Sequence, residues 1–129
     1  MNPEPAIAAN IERRWHKRFK AKGHAFAVIT TPDSVELCHI IDISSTGLSF
    51  RYFADSPELN DEFQKISILF SENFYLEGVP AQSVSDRKID TKLPHIIKMR
   101  RRGIKFGDLD KEQISQIQYF IRHNTAGIC

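Results

Sequence analysis

From Ala25 onward, apolar and polar positions alternate in short runs separated by turn residues. Ala25 to Thr31 stops at Pro32-Asp33-Ser34, and Val35 to Ile43 follows at hairpin distance, which predicts two antiparallel strands. Gly47 to Phe53, with Leu48 and Phe50 on one parity, predicts a third. Ile66, Ile68 and Phe70 alternate with Lys65, Ser67 and Ser71 and predict a fourth. Tyr75 to Val84 reads as a fifth, interrupted by Gly78 and Pro80; a proline without an N–H calls for an edge position or a bulge. Ile96 to Phe106 reads as a sixth whose parity changes midway. Ile97 and Met99 share one face and Ile104 and Phe106 the other, so a bulge is expected near Gly103.

The period then changes. Ile114, Ile117, Phe120 and Ile121 form one stripe at helical spacing. Asp110 can cap it, Gln113 lies three residues on, and Glu112 sits where the helix dipole favours an acid. Arg122 and His123 fall at the opposite end, so a helix is expected from Lys111 to His123. Six strands followed by one amphipathic helix predict a mostly β chain. The expected fold is a six-stranded antiparallel β-barrel with a C-terminal α-helix plugging or flanking it.

At 129 residues, with 41% hydrophobic and 10% aromatic content, the chain is long enough for one domain and one core. Residues 1–12 read as a flexible lead-in with a short helix over Ala6 to Ile11. Residues 13–123 read as the domain, entered through a basic arm ending at Gly23, and 124–129 as a tail. Asp55 to Asp61 is an acidic loop and Asp86 to Pro94 a polar connection.

The formal net charge is only +2, but its distribution is uneven. Arg13, Arg14, Lys17, Arg18, Lys20 and Lys22 crowd the arm, and a second basic cluster runs from Lys98 to Arg102. Local basic patches on a nearly neutral chain suit a compact anion better than a polyanion, so no nucleic-acid partner is expected. Cys38 and Cys129 make neither a metal nor a redox spacing. The five histidines are scattered, and no Gly-rich phosphate loop or nucleophile elbow occurs, so neither a metal site nor an enzyme is expected. No apolar run approaches the ~18 residues of a membrane span. The first residues lack a basic region followed by an apolar core. A cytoplasmic chain without membrane insertion is the expectation.

Two constellations carry chemistry. Arg14 and Arg18 place two guanidinium groups four residues apart, and arginine suits phosphate, the O6/N7 edge of guanine, and stacking on planar bases. Asp42-Ile43-Ser44-Ser45-Thr46-Gly47 joins the second and third strands. It reads either as a turn, with Asp and Ser bonding backbone N–H groups and Gly at positive φ, or as a polar platform that meets a ligand. Trp15 reads as a base-stacking platform or as an anchor of the arm on the barrel.

Arg14-x-x-x-Arg18 before the first strand and Asp42-x-Ser44-x-x-Gly47 between the second and third resemble the motifs of the PilZ domain. Arg102-Gly103-Ile104-Lys105-Phe106 leading into an acid-capped final helix is similar to how these domains end. The resemblance covers roughly residues 12 to 123. It implies a non-enzymatic bacterial receptor for the second messenger cyclic di-GMP. Arg14 and Arg18 would grip phosphates and guanine edges, Asp42 would accept from guanine N–H donors, and Ser44 would bond a phosphate or guanine group. Gly47 would let backbone approach the ligand. Arg13 would add a third guanidinium at a position associated with whether one messenger or an intercalated pair binds. The implied output is an arm ordered by the ligand and a changed surface for a downstream effector protein. The rival expectations are a small barrel binding single-stranded nucleic acid and a PilZ-fold protein-interaction module without ligand.

Overall fold

A computed structural model describes residues 17–30, 32, 34–53, 65–70, 73–89 and 98–129. The chain runs β1 (Phe19–Ala21), β2 (Ala25–Thr30), β3 (Val35–Ile43), β4 (Gly47–Phe53), β5 (Lys65–Phe70), β6 (Phe74–Lys88), β7 (Met99–Phe106), α1 (Lys111–His123) and β8 (Thr125–Ile128). Strands β2, β5, β6, β7, β4 and β3 are neighbours in that order, and a further β2–β3 pairing closes the ring. Every pairing is antiparallel. The expected six-stranded barrel with its C-terminal helix is thus borne out. The lead-in over 1–12 with its helix, Arg13, Arg14 and Trp15, the acidic loop, residues 90–94 of the polar connection, and Ile96 and Ile97 lie outside the described residues.

Two strands appear where an arm and a tail were expected. Strand β2 pairs with β3 only from Val35 to His39, so the far end of β3 has an open side. Phe19 and Lys20 take that side opposite Ile43 and Asp42, and β8 pairs with β1 in turn. A three-residue basic strand has little propensity of its own, and the neighbouring backbone supplies its partners.

Interior residues come from every barrel strand. Ala27, Ile29, Ile40, Ile43, Leu48, Phe50, Ile66, Ile68, Val79, Ile104 and Phe106 are buried. Helix α1 adds Ile117 and Phe120, with the Phe120 ring 5.3 Å from Phe74 and edge-on to Phe70 at 5.9 Å. Its cap forms as the sequence predicts: Asp110 accepts from the Gln113 N–H at 2.7 Å, and the Gln113 side chain accepts from the Asp110 N–H at 3.1 Å. The Gln113 amide also donates to the Gly78 carbonyl, which ties the helix start to β6. Ile114, expected in the apolar stripe, is instead exposed.

The long β6 strand changes partners at Pro80, pairing with β5 up to that residue and with β7 from Ala81. Just before it, two β6 residues face Ser67 of β5, and Gly78 takes φ 70° in this bulge, a conformation that strongly favours glycine. The second bulge is not on β7, where the parity change near Gly103 predicts it. It lies opposite, on β6 between Ser83 and Ser85, while β7 keeps unbroken register with β4. Arg102, Ile104 and Phe106 are all buried on one parity of β7. A buried arginine on the inward face is what makes the apolar pattern seem to slip.

Candidate ligand-binding site

Asp42 owes its position to an irregularity in β3. The β3–β4 register steps from Ile40 opposite Phe50 to Asp42 opposite Ser49, which leaves Ile41 as an extra residue. Before the step, Cys38 and Ile40 point into the core; after it, Ile43 does, paired with Leu48. Asp42 is thereby turned to the other face, beside Ser49. Its Oδ1 accepts from Ser49 Oγ at 2.8 Å and its Oδ2 from Arg101 Nη2 at 2.5 Å. Arg101 also donates to Ser49 Oγ at 2.9 Å. Arg18, largely exposed just before β1, approaches Oδ1 to 3.8 Å.

A carboxylate on a side chain only 6% exposed is tolerable here because both its oxygens are engaged by donors. Each oxygen carries two lone pairs, so Asp42 keeps capacity for a further N–H donor.

Ser44 and Gly47 serve the turn. Ser44 N–H donates to the Gly47 carbonyl at 2.8 Å, Ser44 Oγ donates to the same oxygen at 3.3 Å, and Thr46 N–H donates to Ser44 Oγ at 3.2 Å. Gly47 does not take positive φ, unlike Gly78 and Gly127. Its missing Cβ answers a different demand. A side chain there would overlap the Ile104 carbonyl oxygen across the β4–β7 pairing and stand 3.2 Å from the Ile104 carbonyl carbon.

Two cavities that share lining residues lie on this face, and one of them borders Asp42. One of about 480 Å³ is lined by Asp42, Lys20, Lys22, Arg51 and Arg101, among others. The other, of about 910 Å³, is lined by Phe26, Glu36, Leu37, Phe53, Arg87, Lys88 and Met99, among others. Both lie in the size range of small-molecule sites. His39, Ile41, Arg51 and Arg101 line both, so the two are parts of one groove. Ser44 and Gly47 line neither.

The structure brings Asp42 and Arg18 together and sets Ser44 and Gly47 in the adjacent turn; Arg13 and Arg14 lie outside the described residues. Arg101, Ser49, Arg51 and His39 escaped the sequence reading as site residues. Arg101 belongs to the second basic cluster, but only pairing opposite Arg51 shows that it faces Asp42.

Arg100 and Arg102 belong to a separate polar cluster. Arg102 donates to Asp86 Oδ2 through Nε at 3.0 Å and Nη2 at 2.9 Å, and its guanidinium lies over the Tyr52 ring at 5.0 Å. Tyr52 also donates to Asp86, and Arg100 donates to Asp86 Oδ1 at 2.6 Å. Burial pushes the Asp86 carboxyl up, but these hydrogen bonds outweigh it and hold the group below the usual carboxylate range. A depressed carboxylate contributes stability above its unfolded pKa, near 3.9, and loses that contribution as pH falls through the folded value. Asp86→Asn is therefore expected to destabilise the chain at pH 7 and to narrow its difference from the parent below about pH 4, read from urea midpoints across pH.

Burial, then the Glu36 charge, pushes the Cys38 thiol up to about 12, so it is a core residue and not a nucleophile. Among the described residues no group of three metal-ligating side chains comes together, and no helix is long and apolar enough to cross a membrane.

The sequence profile of the PilZ domain matches residues 12–123, and the chain belongs to that family. Among solved structures it is similar to the PilZ domain of YcgR from Escherichia coli, determined with c-di-GMP. That match has 21% identity and a TM-score of 0.70 over 85% of this chain and 89% of that one. It is also similar to the MrkH–c-di-GMP complex of K. pneumonia, at 14% identity and a TM-score of 0.68. The MrkH match covers 85% of this chain and 51% of MrkH, and a fuller YcgR structure is covered over 45% of its length. The chain thus spans about half of these larger proteins, and at such identities the likeness carries the fold. No curated protein sequence gives a significant match.

Proposed function

We propose that this chain is a receptor for cyclic di-GMP, with the ligand held between the arginine arm and the Asp42 face of the barrel. The observation that carries this reading is the placement of Asp42. A bulge turns its carboxylate out of the core, at the foot of the arm, with Arg18 and Arg101 beside it. Family membership and the c-di-GMP-bound structures of YcgR and MrkH support it.

In this account Asp42 accepts from guanine N–H donors with its unused lone pairs. Arg14 and Arg18 supply charge-assisted hydrogen bonds to phosphate and guanine, and Arg13 adds to the charge where one messenger or an intercalated pair is accommodated. Ser44 and Gly47 hold the turn that presents Asp42, and Ser44 offers its hydroxyl to the ligand. Binding orders the arm against the barrel and alters the surface shown to an effector protein. No chemical step is required.

The test is titration of the chain with cyclic di-GMP and, separately, with single-stranded oligonucleotides of increasing length. Saturable binding of one or two messengers per chain is expected, with weak oligonucleotide binding. Affinity that grows with oligonucleotide length, with a steep salt slope, would assign the groove to single-stranded nucleic acid instead.

A further inference from the structure

Two cations line both halves of the groove, Arg51 on β4 and Arg101 on β7. They are directly opposite each other in the β4–β7 register. Like charges at opposed cross-strand positions are destabilising unless something of opposite sign lies near them. Arg101 has such a partner in Asp42. Arg51 does not: among the described residues its side chain makes one hydrogen bond, donated by Nη2 to His39 Nδ1 at 2.9 Å, and no ion pair.

His39 is placed to receive that bond. It lies opposite Arg51 in the β3–β4 register, and its ring stacks on Phe26 with centroids 4.9 Å apart and planes 4° from parallel. Its Nε2–H donates to the Gly23 carbonyl at 2.5 Å, which leaves Nδ1 as the acceptor. Burial, then the Arg51 and His24 charges, lowers its pKa and favours the neutral ring that can accept. The bond to His39 orients the guanidinium, and among the described residues no carboxylate forms an ion pair with it. A guanidinium has five N–H donors, and among the described residues one of them is in use.

We propose that Arg51, braced by His39, is a ligand-binding residue carried by the barrel itself, and that it takes a phosphate oxygen of the bound nucleotide. The inference rests on the cyclic di-GMP reading above and adds an anion contact on the barrel side to those from the arm. An anion between Arg51 and Arg101 removes the cross-strand repulsion on binding. Stability of the empty chain and affinity for the ligand therefore respond to Arg51 in opposite directions. His39 acts through Arg51 and is a positioning residue.

The test compares the parent chain with Arg51→Ala, His39→Ala and the double variant, using calorimetry with cyclic di-GMP and thermal melts without it. Arg51→Ala is expected to weaken binding about 10-fold or more, the scale of one charge-assisted hydrogen bond, and to leave the empty chain's melting midpoint equal or higher. His39→Ala is expected to weaken binding several-fold in the parent and to add nothing once Arg51 is gone. Unchanged affinity in Arg51→Ala, with the parent binding normally, overturns the inference and leaves the receptor reading standing. An equal effect of His39→Ala with and without Arg51 overturns the bracing role. A parent chain that does not bind cyclic di-GMP sinks the receptor reading itself.

Discussion

Arg18→Ala is expected to lower the affinity for cyclic di-GMP by one to two orders of magnitude while barely moving the melting midpoint. In the empty chain Arg18 is 63% exposed and stands 3.8 Å from Asp42. An exposed pair at that separation contributes roughly 0–1 kcal/mol to stability. In the complex the same guanidinium would donate to an ionised phosphate or a guanine edge, out of competition with water. Hydrogen bonds to charged groups contribute roughly 1.5–3 kcal/mol, which is about 10- to 150-fold in affinity. The gap between the two effects separates a ligand residue from a structural one. Arg122→Ala, on helix α1, is the control and should change neither quantity. A loss of stability as large as the loss of binding would mean that Arg18 serves the fold.

Gly47→Ala is expected to act in the opposite manner, damaging the fold first. The added Cβ would overlap the Ile104 carbonyl oxygen and stand 3.3 Å from the Lys105 Cα, and both are backbone atoms that cannot rotate aside. The turn is also held on both sides: Ser44 N–H donates to the Gly47 carbonyl, and Phe106 N–H donates to the Thr46 carbonyl, each at 2.8 Å. Relief requires β4 and β7 to separate. Forced overpacking typically costs about 1–3 kcal/mol, and a backbone-to-backbone clash belongs at the top of that range or above it. The melting midpoint should fall on the order of 10 °C. Affinity measured well below the lowered midpoint distinguishes the two roles of this glycine. Parent-like affinity assigns Gly47 to strand packing alone, whereas weakened binding adds the close ligand approach that the family motif implies.

These two residues show what could be read from the chain alone. The barrel strands were legible because period-two alternation records which side chains face the core, and Leu48 with Phe50 or Ile66 with Ile68 follow that rule directly. Helix α1 was legible from its cap, since Asp110 and Gln113 carry their own signal within four residues. The outward turn of Asp42 was not. Cys38, Ile40 and Asp42 share one parity, and only the β3–β4 register shows that Ile41 is skipped and Asp42 reversed.

Burial of Arg102 was hidden for a related reason. A charged residue on an inward position breaks the apolar pattern, and its partners Tyr52 and Asp86 are 50 and 16 residues away in sequence. Strands β1 and β8 exist through pairing with backbone that other elements leave open, which no local propensity encodes. The motif residues Asp42, Ser44 and Gly47 are close in sequence and could be named from it as candidates. Ser49 and Arg101 reach Asp42, and His39 and Arg51 reach the same groove, only through the pairing of β3, β4 and β7.

In the proposed receptor Asp42, aimed outward by the β3 bulge, is the fixed half of a cyclic di-GMP clamp whose other half is the arginine arm. Asp42→Asn tests it with the least disturbance, because the amide keeps the shape and one acceptor while losing the charge and half of the acceptor capacity. Calorimetry of the full chain and of Asp42→Asn against cyclic di-GMP, with circular dichroism to confirm that both are folded, is the direct measurement. Saturable binding at micromolar ligand or below is expected for the parent, and at least a tenfold loss for the variant. No binding by the parent at micromolar ligand, or equal binding by a folded Asp42→Asn, would contradict it.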